Sequence, residues 1–324
     1  MTSNSDSIDV SLSGFYKSWY AFRQGKRLSR SIIAFEYNLE NNLDLLANDI
    51  QNNHYRHGGY RHMQVNDSKP RDIAVAQVRD RVVHRLLYDY FVPRMDPHFD
   101  YDVWSCRTGK GLDAGVDRVK TLLNRYPNSW AWRGDVSKFF DSVDQEIAMR
   151  IVRRFIKDEI ALRVLGNVIS SYETAPGRGI SIGNLTSQIL ANVYLNELDR
   201  YVRHTIKPLA YVRYGDDFVL LLPSKAEAQK TQSLGATFLD QALHLTLHKT
   251  NNIVVPVRQG IHFLGLKLYP SGRLIRKPTW NRLRNRIEPR NLSSYDGFVK
   301  QMGSEKQQRA FRWVQHKAGF DFHE

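Results

Sequence analysis

Apolar and polar positions along this chain follow a helical period in some stretches and a strand period in others. Helical spacing of apolar residues runs from Phe15 to about Asn53, and a basic amphipathic helix is predicted over Arg79–Val92, where Pro93 should stop it. Five more helical segments are predicted: Asp113–Tyr126, Ser137–Val143 continuing through Ile147–Phe155, Ala161–Ser170, Asn184–Val202 with Asn184 or Thr186 as its cap, and Lys225–Leu243.

Short strands are predicted between these helices. They are Tyr60–Val65, Asp72–Val75, Trp130–Val136, Leu245–His248 and Ile261–Leu268. In Leu209–Leu222, two apolar runs flank Gly215-Asp216-Asp217, which predicts a hairpin with a Gly-Asp turn. Interleaved helices and short strands favour an α+β fold with helices backing a small antiparallel sheet. The tail from Gly272 to Glu324 opens with a crowd of arginines and resumes a helical pattern over Tyr295–Ala318.

Composition limits the classes of protein that fit. The chain has 324 residues, of which 42% are hydrophobic, enough for two or three subdomains with a substantial core. A formal net charge of +14 predicts a polyanionic partner, most simply nucleic acid. Anionic membrane is the rival partner, but the apolar run Phe218–Pro223 is far too short to span a bilayer. No membrane association is therefore predicted.

Two further features bear on the compartment. The N-terminal residues have neither a basic region nor an apolar run of the secretory kind. Cys106 is the only cysteine, which excludes an internal disulfide and a thiolate zinc cluster. Both features favour a cytosolic protein.

Three aspartates carry the candidate chemistry. Asp216 and Asp217 sit at the predicted hairpin turn, and Asp135 lies near the end of the strand Trp130–Val136. Adjacent carboxylates repel one another unless a cation holds them, and an oxygen-only ligand set suits Mg²⁺. Two such ions about 3.5–4 Å apart would favour phosphoryl transfer. Taken alone, the hairpin could equally be a solvated turn without chemistry.

Four motifs resemble those of reverse transcriptases. The aspartate hairpin resembles the family's Tyr-x-Asp-Asp box, and three other stretches are similar to its first catalytic-aspartate motif, its lysine strand and its primer-grip turn. In that order, the four are Tyr214–Asp217, Gly134–Phe140, Lys249-Thr250 and Phe263–Gly265. They follow the family's order within residues 55–268. The resemblance implies a right-hand polymerase fold with fingers, palm and a helical thumb.

The resemblance also implies a division of the chain. We expect an N-terminal helical extension over residues 1–54 and a fingers/palm junction over 55–133 and 145–190. The palm is expected over 134–144 and 191–268, and a basic helical thumb over 269–324. The thumb would grip a template–primer duplex through its phosphates.

Roles at the catalytic centre follow from the same resemblance. Asp135, Asp216 and the Val136 carbonyl would bind metal, with Asp217 completing the set. The implied cofactor is Mg²⁺ as two ions, with Mn²⁺ as a substitute.

Substrate contacts are implied as well. Lys69 and Arg71 would hold the dNTP triphosphate, Phe140 would exclude a 2′-OH, Ile182 and Gln188 would line the nascent base pair, and Lys249 would protonate the leaving pyrophosphate. The expected primer and template contacts are Tyr214, Gly215, Phe263, Gly265, Arg276, Lys277 and Arg284.

The stretch from Ile182 to Gln188 resembles one subfamily, the reverse transcriptases of diversity-generating retroelements. Most reverse transcriptases carry Gln at the position of Ile182 and Pro at that of Gln188, whereas Gly215 departs from the Met more usual in the subfamily. Its members copy a template-repeat RNA into cDNA with errors opposite adenines, helped by a small basic helical accessory protein that is oligomeric. The implied location is the cytoplasm of a bacterium or archaeon, or of a phage host.

Other lineages stay open at this point. The alternatives within the family are a retron, a group II intron-like enzyme or a phage-defence enzyme. Outside it, the alternative is a catalytically silent nucleic-acid-binding protein that keeps a palm-like fold.

Overall fold

The structure is a computed structural model that describes residues 7–66 and 70–317. Its helices, in chain order, are α1 (Leu12–Arg23), α2 (Arg30–Tyr37), α3 (Leu39–Gln51), α4 (Val78–Met95), α5 (Leu112–Arg125), α6 (Phe139–Ser142), α7 (Gln145–Phe155), α8 (Glu159–Ser170), α9 (Leu185–Tyr201), α10 (Lys225–Leu243), α11 (Lys277–Asn285), α12 (Pro289–Met302) and α13 (Glu305–Lys317). A π-helical turn, Val202–Ile206, follows α9.

The strands are short and antiparallel. They are β1 (Tyr60–Asn66), β2 (Pro70–Ala76), β3 (Trp130–Asp135), β4 (Ala210–Tyr214), β5 (Asp217–Leu222), β6 (Ile253–Pro256), β7 (Ile261–Phe263), β8 (Leu266–Tyr269) and β9 (Gly272–Ile275). The predicted α+β content is therefore confirmed.

The chain forms two compact units. The first contains residues up to 100 together with 137–200 and 238–246, and the second contains 101–136, 201–237 and 247 onward. The predicted boundaries of fingers, palm and thumb stay predictions.

In the first unit, the helical stretch predicted from Phe15 to Asn53 is three helices. Serine side chains start two of them, because Ser11 accepts from the Gly14 N–H and Ser29 accepts from the Ile32 N–H. The predicted stop at Pro93 is wrong: the helix was expected to end at Val92, and α4 continues through the proline for three more residues, to Met95. Pro93 lacks one backbone donor, and Met95, only 1% exposed, extends the apolar face of the helix beyond it.

The second unit is built on a four-stranded antiparallel sheet in the order β4-β5-β3-β6. The predicted strand at Leu245–His248 is wrong: within it only Leu247 forms a β-bridge, to Val136. On the side of β3 away from β5, the pairing strand is β6. It ends in Pro256, which a strand tolerates at the edge of a sheet because the missing N–H would face outward.

A second correction concerns Ile261–Leu268. The pattern predicted one strand, but β7 and β8 are separated by a turn at Leu264 and Gly265, whose φ values are 49° and 81°. With β9 they form a three-stranded sheet of their own. Buried residues alternate on each side of the turn, at Ile261 and Phe263 and again at Leu266 and Leu268, and the phase shifts by one residue across it. Apolar Leu264 lies in the turn and hides this shift from the sequence pattern.

One core joins these elements within the second unit. Apolar residues of β3, β4 and β5 pack with α5, the three-stranded sheet and α11–α13. The largest buried side chains of this core are Phe263, Phe311 and Trp104, the last from the loop before α5. On the other face of the four-stranded sheet, Trp132 contacts Gly235 so closely that a Cβ there would lie 2.2 Å from the indole. Gly134 likewise leaves room for the Phe218 ring.

Two histidines in the first unit, half-buried His57 and buried His84, form a hydrogen-bonded chain. His57 Nδ1 lies 2.6 Å from the Gly58 carbonyl, so this nitrogen carries the proton and donates. His84 Nε2 therefore donates to His57 Nε2 at 3.0 Å, and His84 Nδ1 accepts from the Thr186 hydroxyl at 2.5 Å. Every ring nitrogen is used when both rings are neutral. Burial, then His57 and Arg81, lower the pKa of His84 to about 3.

Among the residues that the structure describes, no helix is both long enough and apolar enough to cross a membrane.

His84 predicts a loss of stability in mild acid. In the unfolded chain His84 binds a proton near the ordinary histidine pKa of 6.5, whereas in the folded chain its pKa is about 3. Stability is therefore complete above pH 6.5 and falls as the pH drops toward 3, by up to about 1.4 kcal/mol per pH unit from this group. Urea unfolding between pH 7 and 4.5 should show a shallower dependence in His84→Gln. His54→Gln, which removes an exposed histidine, should keep the wild-type slope; equal slopes in all three proteins would contradict the assignment.

Candidate active site

The aspartate hairpin forms as the sequence predicted. Strands β4 and β5 pair antiparallel, with Tyr214 opposite Asp217. On its other side β5 pairs with β3, and there Asp217 lies opposite Asp135. Directly opposed residues have their Cβ atoms about 5 Å apart on one face of a sheet. The register therefore places two of the three predicted carboxylates side by side, and Asp216 in the adjoining turn.

The turn is held through its backbone. Gly215 has φ of 62°, in the left-handed region where glycine is not strained. Its N–H donates to Ser105 Oγ at 2.8 Å, and its carbonyl accepts from Arg213 Nη1 at 3.0 Å. Arg213 is fully buried, and Ser105 is 6% exposed. Both backbone groups of Gly215 thus have buried partners, which restrains the position of the aspartate beside it.

Arg133 neutralises Asp217. Its Nε and Nη2 donate to the two carboxylate oxygens at 3.1 and 2.9 Å. The side chains are 8% and 14% exposed, so this two-pronged ion pair is shielded from water. Residues two apart on a strand share a face, and Arg133 therefore accompanies Asp135.

The pKa of Asp217 reports how costly this placement is. Burial raises it to about 6, Arg133 opposes the rise, and Asp135 adds to it. A hydrogen bond from the Leu264 backbone also favours the charged form. Asp217 therefore lies close to a second negative charge and out of water, even with its arginine in place.

Asp135 is oriented by a different element. Asn251 Nδ2 donates to Asp135 Oδ2 at 2.7 Å. The backbone N–H of His248 donates to the Asp135 carbonyl, also at 2.7 Å. The neighbouring Val136 carbonyl, predicted as a metal ligand, takes no part in that backbone bond.

The donors suit Mg²⁺ in kind, because carboxylate and carbonyl oxygens are its preferred ligands. Asp135 and Asp217 already repel each other, which a divalent cation would relieve. Within residues 7–66 and 70–317, however, no group of three or more Asp, Glu, His or Cys side chains is arranged to hold a metal ion. The residues fit the cofactor by the chemistry of their oxygen donors, and the three-aspartate metal site stays a prediction.

The other predicted residues of the second unit differ in exposure. Lys249, Lys277 and Arg284 are exposed, while Tyr214, Gly265 and Arg276 are half-buried. Phe263 is 1% exposed and belongs to the core, so its ring does not present a surface to a primer. A contact with the primer at this place would be made by the backbone of the turn at Leu264 and Gly265.

The predicted dNTP contacts lie mostly in the first unit, and Lys69 lies outside the described residues. Arg71 is exposed on β2, whereas Phe140, Ile182 and Gln188 are half-buried. The loop before α9 is attached to β2, because Asn184 Nδ2 donates to the Ala74 carbonyl at 3.1 Å. This bond brings the segment of Ile182 beside the strand of Arg71.

Sequence reasoning missed four residues that position the aspartates. Arg133 could have been found, since it stands two residues before Asp135 on a predicted strand. Asn251 lies only two residues after Lys249 but has no motif of its own. Ser105 is 110 residues from Gly215 along the chain, and nothing in the sequence connects them. Buried Arg213 is likewise visible only in three dimensions.

Comparison with known proteins identifies the family. A family model described as reverse transcriptase (RNA-dependent DNA polymerase) matches residues 63–268, well over half of the chain. The chain belongs to the reverse transcriptase family. Its structure is similar to that of telomerase from Candida albicans, solved with a fragment of telomeric RNA, with a TM-score of 0.50 at 12% identity over 84% of this chain and 58% of that one. The predicted right-hand polymerase fold is thereby confirmed.

Relatives of this reverse transcriptase include proteins of introns. It is 26% identical to Protein YkfC of Escherichia coli, over 70% of this chain and 71% of that protein. It is 28% identical to nuclear intron maturase 1 of Arabidopsis thaliana over 31% of this chain, which spans 13% of the maturase. A COX1 intron 2 protein of Saccharomyces cerevisiae is 22% identical over half of this chain, which spans 20% of that protein.

The ion pair between Arg133 and Asp217 predicts strong coupling. Arg133→Met leaves a shielded carboxylate beside Asp135 without its partner, and should lower the free energy of unfolding by about 3–5 kcal/mol. The double variant Arg133→Met/Asp217→Asn should lose less than the sum of the single losses by more than about 1 kcal/mol. Chemical denaturation of the four proteins gives the coupling energy.

A matched cycle on Arg85 and Asp89 provides the control. This ion pair is more exposed, at 29% and 41%, and its coupling should be about 0.5 kcal/mol or less. A coupling between Arg133 and Asp217 no larger than this would show that the pair does not compensate the buried charge.

Proposed function

We propose that the chain is an RNA-directed DNA polymerase whose nucleotidyl transfer occurs at Asp135 and Asp216. The observation that carries the proposal is the register of β3 against β5, which sets Asp135 opposite Asp217 beside the turn of Asp216. Membership of the reverse transcriptase family supplies the reaction class. A net charge of +14 suits an RNA template and the growing RNA–DNA duplex.

The three aspartates have different roles in this proposal. Asp135 and Asp216, with the Val136 carbonyl, would hold two Mg²⁺ ions, and Mn²⁺ could replace them. When bound, such ions lower the pKa of the attacking 3′-hydroxyl and neutralise charge on the reacting phosphate. Asp217, already paired with Arg133, would complete the ligand set while its arginine limits the repulsion among the carboxylates.

Other residues would bind and orient the substrates. Arg71, with Lys69, would hold the triphosphate, and Lys249 would give its proton to the leaving pyrophosphate. Phe140 would exclude the 2′-OH of a ribonucleotide. Arg276 and Lys277 lie at the start of α11 and Arg284 in its last turn, where they would contact backbone phosphates of the duplex.

We infer further that the enzyme serves a diversity-generating retroelement. The form of the segment from Ile182 to Gln188 supports this lineage, and a cytoplasmic enzyme copying a template-repeat RNA with a small basic accessory protein follows from it. The intron-related relatives favour a second candidate, an intron-type reverse transcriptase that copies its template faithfully. Fidelity separates the two.

The catalytic role of the aspartates predicts a loss of synthesis. Asp135→Asn or Asp216→Asn should each reduce Mg²⁺-dependent dNTP incorporation on a primed RNA template by at least about 100-fold, because each removes charge that stabilises the transition state. The control, Asp240→Asn, removes an exposed carboxylate of α10 and should keep the wild-type rate. Binding of the primed template, measured separately, should survive in all three variants. Undiminished incorporation in the Asp135 and Asp216 variants would refute the assignment.

The lineage predicts errors at one template base. An apolar Ile182 cannot hydrogen-bond a nucleotide, so few contacts penalise a mispair. Sequencing of the cDNA should reveal misincorporation concentrated opposite adenines, and Ile182→Gln should reduce it several-fold. Ile182→Leu keeps the apolar character and should keep the error pattern. Faithful synthesis by the wild-type enzyme would instead select the intron-type candidate, and an unchanged error rate in Ile182→Gln would remove Ile182 from the explanation.

A further inference from the structure

The stretch that leads into α9 carries two of the residues expected to line the nascent base pair, Ile182 and Gln188. We name residues 180–188 the α9 entry segment. It begins beside the residue expected to exclude a 2′-OH, because the Ile180 N–H donates to the Phe140 carbonyl at 2.8 Å. It ends in the first turn of α9. A displacement of this segment would therefore move both expected nucleotide contacts together.

The middle of the α9 entry segment fits closely against β2. Asn184 Nδ2 donates to the Ala74 carbonyl at 3.1 Å and to Ser181 Oγ at 2.8 Å. Gly183 has φ of 103°, and a Cβ there would lie 2.7 Å from the Cγ2 atom of Ile73. Only glycine allows this approach without strain. These contacts limit how far the segment can move away from the strand.

A single side-chain hydrogen bond attaches the start of α9 to α4. The Thr186 hydroxyl donates to His84 Nδ1 at 2.5 Å, and the two residues are 0% and 1% exposed. A hydroxyl buried this deeply is costly unless it has a partner. The role of His84 Nδ1 is set from its other side, because His84 Nε2 donates to His57 at 3.0 Å and a neutral ring has only one donor.

The far end of this hydrogen-bonded chain is held as well. His57 Nδ1 donates to the Gly58 carbonyl at 2.6 Å. The Gly58 N–H donates to one oxygen of Asp80 at 3.1 Å, and the Tyr55 hydroxyl donates to the other at 3.0 Å. Asp80 is 0% exposed and belongs to α4, as His84 does. The chain therefore presents to the α9 entry segment an acceptor whose direction is fixed.

We propose that His84 and Thr186 are positioning residues for nucleotide selection. Through their hydrogen bond, α4 fixes the first turn of α9 and with it Ile182 and Gln188. An apolar side chain such as Ile182 selects a nucleotide by shape, and shape is selective only where the wall that carries it is held in place. Both positioning residues are buried, so they act through the segment and not on the nucleotide.

The proposal rests on the proposed function and deepens it, because it names the contact that aligns the segment expected at the nascent base pair. None of the bonds in this chain involves the three aspartates. The effect of breaking the chain should therefore appear in the affinity for the nucleotide, and the rate of the chemical step should change little.

Two substitutions of nearly the same shape test the hydroxyl. Thr186→Val removes the donor, whereas Thr186→Ser keeps it. In single-turnover incorporation on a primed RNA template, Thr186→Val should raise the dNTP concentration that gives half the maximal rate at least about fivefold, because a misplaced contact binds less well. Its maximal rate should change less than about twofold, and Thr186→Ser should stay within about twofold of the wild type in both quantities.

A second pair of variants tests the partner of the hydroxyl. His84→Gln replaces the two ring nitrogens by an amide oxygen that accepts and an amide N–H that donates, and should keep the half-saturating dNTP concentration within about threefold of the wild type. His84→Met has a similar length without these groups, and should resemble Thr186→Val. Misfolded enzyme lowers the amount of product in a single turnover but leaves the half-saturating concentration of the folded fraction unchanged, so the two effects separate.

The control removes a buried hydroxyl elsewhere in the same unit. Ser18 is 3% exposed, and its Oγ donates to the Gly14 carbonyl within the first helix at 3.0 Å. Ser18→Ala should keep the wild-type half-saturating dNTP concentration. Equal values in Thr186→Val and Thr186→Ser would overturn the proposal. An increase in Ser18→Ala as large as that in Thr186→Val would overturn it too, because general loosening of the unit would then explain both.

A measurement without synthesis separates this proposal from the polymerase itself. On a primer that ends in a dideoxynucleotide, the next correct dNTP can bind without reacting, and it should retain the enzyme on the primed template against a heparin trap. Thr186→Val should need at least about fivefold more dNTP than Thr186→Ser for the same retention.

The outcomes distinguish the two proposals. Retention that depends on Thr186, without any primer extension by the wild type, would refute the polymerase and keep the positioning role. Primer extension by the wild type, with Thr186→Val and Thr186→Ser alike in both assays, would refute the positioning role alone. Neither extension nor dNTP-dependent retention by the wild type would refute both.

Discussion

Repulsion between two carboxylates is the constraint around which the second unit is arranged. The pairing of β3 with β5 sets Asp135 directly opposite Asp217, and burial raises the pKa of Asp217 to about 6. A fold that needs both acids at this place needs a cation within the sheet itself. Arg133 supplies it from the same strand and face as Asp135. The residue between them, Gly134, leaves space for Phe218 on the opposite face. The three consecutive residues Arg133–Asp135 therefore place charged side chains on one face of the sheet and an aromatic contact on the other.

The register also depends on contacts other than the pairing of the strands. Shifting a strand by one residue would turn each aspartate to the other face. Ser105 and Arg213 hold the turn of the hairpin, and Asn251 holds Asp135. Leu264, in the turn between β7 and β8, adds a backbone bond to Asp217. Residues from four parts of the chain thus fix the positions of the aspartates that β3 and the β4–β5 hairpin contain.

How far the sequence predicts this protein can be judged from particular residues. The aspartate hairpin and strand β3 follow from alternation and a glycine-containing turn, and both were predicted. Strand β6 was missed because Ile253–Pro256 is short and partly exposed, and only its pairing with β3 makes it a strand. Phe263 was predicted to contact the primer or template because of its motif, whereas packing buries its ring. The partners Ser105 and Asn251 could not be predicted, since a hydrogen bond between distant residues leaves no periodic trace.

The bond from Gly215 to Ser105 has a consequence for how the protein acquires its native state. It joins residues 110 positions apart, and the bond from Asn251 to Asp135 joins residues 116 apart. Closing such long loops costs entropy before any contact repays it, which slows folding. A chain emerging from the ribosome could pack α1–α4 early, yet it could not complete the surroundings of Asp135 until Asn251 had been made. The centre is thus among the last parts of the molecule to form.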